Sequence, residues 1–117
     1  SATSAEGFGI PHLESMVVGL PQIVPGYSVF PEFITGGDEG DRGLLCDVTE
    51  QLTITGQSRA LVDISDMVKN MDQLYFNIDK QKRMSKNAIK WATKHTCDQK
   101  CAEWDELLSK QGKNANQ

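Results

Sequence analysis

The sequence predicts an α/β fold in which helices flank a parallel sheet and further helices form the C-terminal end. Two short apolar runs, residues 22–24 and 44–46, are typical of buried parallel strands, because proline or glycine bounds them and they lack polar alternation. Helical periodicity precedes the first run and dominates the chain from residue 63 onward. At 117 residues the chain is at the small end for a doubly wound unit.

The first predicted element is a helix that begins near Pro11. Proline suits the first helical position, because its φ is already fixed and the N–H it lacks has no intrahelical partner there. Gly19 and Pro21 end the helix. Its apolar positions repeat at helical spacing: Leu13, Met16, Val17 and Leu20.

The middle of the chain predicts a polar loop followed by a small β unit. Residues 36–43 are rich in glycine and acidic side chains, and we expect Glu39 and Asp41 to be solvated. Residues 52–55 alternate with period two and include β-branched side chains, and residues 56–58 offer a turn. A hairpin or an irregular insertion is therefore expected over residues 49–62.

Three helices are predicted after residue 62, with Asp63 and Asp79 as N-caps of the first two and the third starting around Asp98. The first carries an apolar face of Ile64, Met67, Val68, Met71, Leu74 and Tyr75. The second directs Met84, Ala88, Ile89, Trp91 and Ala92 inward. The third buries Cys101, Trp104, Leu107 and Leu108. We expect one domain over residues 1–110 and a flexible tail over residues 111–117.

Composition narrows the function classes. The net charge is −4, from 12 basic and 16 acidic residues, which disfavours nucleic acid or an anionic membrane as the main partner. The sequence contains no apolar stretch long enough to span a bilayer and no signal-peptide pattern. Three cysteines do not suggest a disulfide framework, so a cytoplasmic setting is favoured.

The strongest functional pattern lies near the N-terminus, where two carboxylates flank a glycine-containing turn that runs into the first helix. The turn is Gly7, Phe8, Gly9 and Ile10, and Glu6 and Glu14 stand on either side of it. Backbone amides in such a turn, with the positive end of a helix dipole, can cradle a diphosphate. Glu14 on the helix could hold a ribose diol, and Glu6 could reach a sugar carried on the diphosphate. Spacing alone is weak evidence, because most such glutamates are solvated surface charge.

Two other kinds of site are disfavoured. A dinucleotide fingerprint would need a third glycine where His12 stands, and a strand before Gly7. A zinc site at His95, Cys97 and Cys101 would need a fourth ligand, so buried structural cysteines are the preferred interpretation. No metal site and no cofactor are predicted.

Residues 4–21 resemble the signature of the family-4 retaining glycosyltransferases with the GT-B fold. Both glutamates, both glycines, the proline and the closing Gly-x-Pro step are in register with that signature. Weaker likeness continues at Phe30–Ile34, at Gly43–Cys46, and in the helical segments 63–76 and 84–92. The resemblance implies a Rossmann-like sheet with flanking helices, the C-terminal part of a GT-B donor-binding lobe cut from a longer enzyme.

The same resemblance implies a function in carbohydrate biosynthesis. The donor would be a nucleoside diphosphate sugar, of the GDP-mannose type or a UDP-sugar, and a glycan or lipid acceptor would bind a missing N-terminal lobe. Transfer would be metal-independent and retain anomeric configuration. By analogy Glu6, with Phe8 and the Gly9 backbone, orients the sugar, Glu14 fixes the ribose, and Gly7, Ile10 and Pro11 complete the binding loop.

We expect this portion to be inactive alone. Three alternatives stay open at this stage: a non-catalytic nucleotide-sugar-binding module, one half of a split enzyme, and an epimerase or phosphorylase with the same two-lobed fold.

Overall fold

The computed structural model describes residues 1–4 and 6–114, with side chains up to residue 110. The described chain is mixed α/β, and roughly half of its residues are helical. In chain order the elements are α1 Ile10–Val17, β1 Gln22–Pro25, α2 Phe30–Ile34, β2 Gly43–Cys46, β3 Val48–Leu52, β4 Ser58–Val62, α3 Ile64–Phe76, α4 Ile78–Ala92 and α5 Cys97–Asn114.

The two predicted parallel strands do pair in parallel, with Gln22 opposite Gly43 and Pro25 opposite Cys46. Gly43 is required at the first pair, because a Cβ there would lie 2.2 Å from the Gln22 carbonyl oxygen. In the described residues this sheet has two strands. The mixed α/β class and the parallel pairing are therefore confirmed, whereas the larger Rossmann-like sheet stays a prediction.

The predicted hairpin is confirmed, since β3 and β4 pair antiparallel from Val48–Val62 to Leu52–Ser58. The first strand starts four residues before the alternating segment 52–55, and the second starts at Ser58, inside the predicted turn. The Thr53 carbonyl accepts from Gly56 N at 2.9 Å, and Thr53 Oγ1 accepts from Gln57 N at 3.1 Å. These local hydrogen bonds make residues 53–57 a turn and override the β propensity of the threonines.

The core lies where α1, α2 and α4 meet β1. Its buried side chains are Met16, Val24, Phe30, Phe33, Ile34, Ala88 and Ala92. α1 ends at Val17, and the N–H groups of Gly19 and Leu20 bond back to the Met16 and Ser15 carbonyls at 3.0 Å. This is a Schellman C-cap, so the predicted end of the helix is confirmed.

α2 was not predicted as a helix, and a buried arginine explains why it is stable. Five residues are too few to show helical periodicity, and the carbonyl groups at its C-terminal end need donors. Arg42 is 1% exposed and supplies these donors. Its guanidinium donates to the backbone carbonyls of Glu32, Phe33, Thr35, Gly36 and Gly40, at 2.5–3.1 Å.

The glycine-rich loop before β2 is more ordered than its composition suggests. Asn87 of α4 donates to the Asp41 carbonyl at 2.9 Å. The Glu39 carboxylate pairs with the Lys94 ammonium, and the Glu39 side chain is 5% exposed. The hydrogen bond from Lys94 lowers the pKa of Glu39. The expectation that Glu39 is solvated is therefore wrong, because Lys94, two residues after the end of α4, pairs with its carboxylate.

α3 begins as predicted, and its predicted apolar face is mostly wrong. The Asp63 carboxylate accepts from Asp66 N at 2.9 Å, which confirms the cap. Of the predicted face, Leu74 is buried and Met67 is half-buried. The remaining members are exposed: Ile64, Val68, Met71 and Tyr75. The two-stranded parallel sheet is too narrow to cover the whole face.

The start of α4 differs from the predicted start by two residues. Asn77, and not Asp79, is the cap, because its side chain accepts from Lys80 N at 2.9 Å. The burial of Met84, Ala88 and Ala92 is confirmed. Trp91 is half-buried, whereas Ile89 is 41% exposed, so its predicted inward position is wrong.

The predicted burial along α5 is wrong. Cys101, Trp104, Leu107 and Leu108 are all exposed, as are the other side chains from Cys97 to Lys110. Their spacing is typical of an amphipathic helix, but periodicity cannot say whether a partner surface is present. α5 continues to Asn114, four residues into the predicted tail, and residues 115–117 lie outside the described part. Among the described helices, none is long and apolar enough to cross a membrane.

Candidate functional site

The N-terminal loop turns into α1 at Gly9, which has a φ of +84° and is the N-cap of the helix. This left-handed conformation favours glycine. The Gly9 carbonyl accepts from His12 N at 3.0 Å and from Leu13 N at 3.1 Å, which closes the first turn. A Cβ at Gly9 would lie 3.5 Å from Glu6 Cγ and 3.5 Å from His12 Nδ1. The structure therefore brings Glu6 and His12 together around the Gly9 backbone.

A hydrogen bond to the following connection holds the loop. Ser28 Oγ donates to the Glu6 carbonyl at 2.5 Å, and Ser28 itself has a φ of +58°. A serine with positive φ is uncommon, and conformations of this kind gather at functional sites. The β1–α2 connection thus fixes the backbone of Glu6, whose side chain is half-buried.

The N-terminal end of α1 is open to a ligand. Ile10 is the first helical residue and Pro11 the second, so the expectation that Pro11 stands first is wrong by one position. The geometry still suits proline, since neither position requires its N–H. Ile10 and Pro11 are exposed, Gly7 has open space around it, and no side chain caps this end of the helix. The positive end of the helix dipole therefore faces the loop with no capping side chain bonded to it.

The second carboxylate lies farther along α1. Glu14 has an exposed side chain, whereas the atoms nearest to a Cβ at Gly9 belong to Glu6, His12 and Phe33. The structure thus brings Glu6 to the loop and leaves Glu14 on the open surface of the helix. That the Glu14 carboxylate holds a ribose stays a prediction.

His12 is a site residue that the sequence did not indicate. Its side chain is 9% exposed, its ring packs edge-on against Phe30 with centroids 4.7 Å apart, and Nδ1 is buried with no hydrogen-bond partner among the described atoms. Burial lowers the pKa of His12, the N-terminal ammonium lowers it further, and Glu6 opposes both effects. We therefore expect a neutral imidazole at pH 7. The feature of the sequence that could have indicated His12 as a site residue is its position three residues after Gly9, the N-cap of α1.

Phe8 connects the loop to a second concavity, which we call the aromatic cavity. It has a volume of about 440 Å³ and is lined by Phe8, Glu32, Phe33, Trp91, His95, Lys100 and Trp104. The Phe8 ring meets Phe33 edge-on at 5.4 Å, Phe33 lies 5.0 Å from Trp91, and Trp91 stacks on His95 at 4.0 Å. These residues come from four separate segments, which is why no local pattern in the sequence indicated the cavity.

The cysteines do not behave as one group. Cys46 is buried, and Asn70 Nδ2 lies 3.5 Å from its Sγ. Cys97 and Cys101 are exposed, so the expectation of buried structural cysteines is wrong for this pair. Within residues 1–4 and 6–114, no group of three or more His, Cys, Asp or Glu side chains is arranged to hold a metal ion.

The chain was compared with protein-family profiles, with curated proteins and with solved structures, and none of them matches it. The functional argument therefore rests on the residues of the N-terminal loop and on their geometry.

Proposed function

We propose that this chain is the donor-binding portion of a retaining, hexosyltransferase-type glycosyltransferase with a Rossmann-like GT-B lobe. It would use a nucleoside diphosphate sugar, either GDP-mannose or a UDP-sugar. One observation carries the proposal: Glu6, the left-handed Gly9 and the uncapped N-terminal end of α1 meet at a single loop. The resemblance of residues 4–21 to the glycosyltransferase signature supplies the identity of the donor.

The loop suits a diphosphate for a physical reason. Backbone N–H groups near Gly9 and the positive end of the α1 dipole favour an anion. The leaving diphosphate gains charge as the sugar departs, and the same groups would stabilise that charge most in the transition state. Fixed backbone dipoles would do the work that a metal ion does in other sugar transferases, so the proposed reaction needs no metal.

The carboxylates would orient the donor. The Ser28 hydrogen bond to the Glu6 backbone holds this residue beside Gly9, from where its carboxylate would accept hydrogen bonds from sugar hydroxyls. Glu14, exposed on α1, would accept from the ribose diol. The acceptor hydroxyl oxygen would form its bond to the anomeric carbon on the face from which the diphosphate departs, while the bond from that carbon to the diphosphate oxygen breaks and the hydroxyl proton passes to the departing diphosphate. Correct orientation lowers the barrier to this step.

The proposal extends to the setting of the reaction. The acceptor is a glycan or a lipid, held by a further lobe. The acidic charge balance argues against nucleic acid as a partner, and the cysteine count favours a reducing, cytoplasmic compartment.

Calorimetric titration with GDP, UDP and ADP tests the proposal, using the Glu6→Gln and Glu14→Ala variants. We expect one nucleotide to bind and Glu14→Ala to weaken it by about 1–3 kcal/mol, the worth of charge-assisted hydrogen bonds to the ribose. Glu6→Gln should weaken the matching nucleotide sugar more than the nucleotide itself, because Glu6 faces the sugar.

Glu106→Ala is the matched control, because it removes an exposed helical carboxylate from α5, where Glu106 pairs with Lys110. It should leave nucleotide affinity unchanged. If no nucleotide binds, or if Glu14→Ala behaves like the control, the loop is only a turn and a helix start. Nucleotide-sugar binding with no transfer after the acceptor lobe is restored would favour the non-catalytic module.

A further inference from the structure

The aromatic cavity has the composition of a ligand site that the donor loop does not use. Its volume of about 440 Å³ falls within the range of small-molecule sites, roughly 300–1,000 Å³. Phe8 is 52% exposed and Trp104 is 61% exposed, so both rings keep large areas available for stacking. The inner wall is rigid, because Trp91 contacts Phe33 and His95, and the Arg42 guanidinium carbon lies 4.9 Å from its ring centre.

The polar groups at the rim balance in charge. Glu32 contributes one carboxylate and Lys100 one ammonium, which also contacts Glu103 at 2.8 Å. His95 supplies an imidazole whose Nδ1 lies 2.9 Å from the Trp91 carbonyl oxygen. The rim thus presents an acceptor, a donor and an imidazole with little net charge. A neutral ligand that carries both donors and acceptors fits this arrangement better than an ion does.

A cation in an aromatic cage is the main competing ligand. The Lys100 ammonium and the nearby Arg42 guanidinium both repel a cation, and Arg42 already lies over the Trp91 ring. The carboxylates of Glu32 and Glu103 are offset by these two positive charges, which leaves no net negative charge to hold a cation. A quaternary ammonium ligand is therefore disfavoured.

We propose that the aromatic cavity binds a saccharide, with one pyranose ring stacked on Trp104 or Phe8 and its hydroxyl groups hydrogen-bonded to Glu32, Lys100 and His95. A sugar ring has an apolar C–H face that packs on an aromatic ring and hydroxyls that both donate and accept. Phe8 belongs to the donor loop and also lines the cavity. The cavity would therefore extend the acceptor site of the further lobe toward the donor loop, which would make a glycan, and not a lipid, the acceptor. Only this last step rests on the proposed function.

Saturation-transfer difference NMR tests the inference on the protein without nucleotide, with maltose, cellobiose and mannobiose as separate probes. We expect at least one disaccharide to receive magnetisation at its C–H protons and to quench tryptophan fluorescence saturably. Trp104→Ala should weaken this binding roughly three- to tenfold, the range for loss of one stacking ring. Leu108→Ala is the matched control, because Leu108 lies on the same helix with the same 61% exposure and does not line the cavity.

Trp104 is a surface residue, so Trp104→Ala is expected to fold, and its circular dichroism should match that of Leu108→Ala. No saturable signal with any of the three disaccharides overturns the inference. Equal loss in Trp104→Ala and Leu108→Ala also overturns it, as does binding of tetramethylammonium in place of sugar. Trp104→Ala should leave the affinity for GDP or UDP unchanged. Sugar binding without nucleotide binding would contradict the proposed function and support the saccharide site. Nucleotide binding without sugar binding would support the proposed function and contradict the saccharide site.

Discussion

Replacing Arg42 with methionine tests how the fold around the donor loop is held. The side chain is 1% exposed, and its guanidinium donates to five backbone carbonyls. Methionine fills much of the space of the arginine stem and supplies no donor. The variant therefore isolates the hydrogen bonds that fasten the C-terminal end of α2 to the loop before β2.

The size of the effect follows from what happens to the carbonyls. Each carbonyl left without a donor costs about 1 kcal/mol or more. Glu32, Thr35 and Gly36 are exposed residues, so water can replace part of what is lost there. Removing a buried charge also relieves a cost, since burial lowers the pKa of Arg42. We expect a net loss of about 2–4 kcal/mol in the free energy of unfolding, a large part of the roughly 5–15 kcal/mol typical of a domain.

Urea unfolding followed by tryptophan fluorescence measures this loss, and Trp91 reports on the site because it lies 4.9 Å from the Arg42 guanidinium. Arg83→Met on α4 is the control, because Arg83 is exposed. Arg42→Lys should lose most of the same stability, since one ammonium cannot reach carbonyls spread around a planar fork. A loss in Arg42→Met no larger than in Arg83→Met would refute the reasoning and show that water satisfies these carbonyls.

Two further predictions concern the start of α4 and the site histidine. Asn77→Ala should lower the free energy of unfolding by about 1 kcal/mol in urea, because it removes the side-chain acceptor for Lys80 N. Asp79→Ala should lower it clearly less. A larger loss in Asp79→Ala than in Asn77→Ala would contradict Asn77 as the cap. The folded-state pKa of His12 lies below its ordinary value of 6.5, so its contribution to stability is complete above pH 6.5. As the pH falls below 6.5 the unfolded chain binds the proton first, and stability should drop by up to about 1.4 kcal/mol per pH unit until the folded-state pKa is reached. His12→Phe, which keeps a ring against Phe30, should remove this part of the dependence between pH 7.5 and 5.5, so an unchanged slope would count against a buried neutral imidazole.

Local signals predicted the elements that local interactions determine. The Schellman end of α1 at Gly19, the cap at Asp63 and the β1 and β2 strands all follow from side chains within a few residues of each element. The hairpin was predicted in kind, but its turn was displaced because Thr53 forms hydrogen bonds that compete with strand pairing.

Long-range contacts decided what the sequence could not show. In the sequence Arg42 has the character of a charged, exposed loop residue. It is buried because its guanidinium donates hydrogen bonds to backbone carbonyls between two and ten positions earlier in the chain. The apolar stripe of α5 has the right period for burial, yet period alone does not supply a partner surface, and Trp104 is exposed. Asn77 and Asp79 are both plausible caps, and only the backbone shows which of them accepts from an amide of the first turn.

The same distinction between local signals and long-range contacts applies to the candidate site. Glu6, Gly9 and the start of α1 are contiguous in sequence, so spacing could indicate the loop. His12 depends on the packing of Phe30, and the aromatic cavity depends on segments up to 96 residues apart, from Phe8 to Trp104. No periodicity can report contacts over that separation.

Gly43 has a consequence for the accuracy of folding. A pair of four-residue strands offers several competing alignments, and nothing in a parallel ladder of backbone hydrogen bonds distinguishes them strongly. With the backbones placed as they are, a Cβ at position 43 would lie 2.2 Å from the Gln22 carbonyl oxygen, so only glycine lets the first pair approach this closely. A larger residue at position 43 would push the starts of the two strands apart and favour other alignments. Because β1 follows α1 after a short connection, such a change would also move the donor loop relative to the sheet.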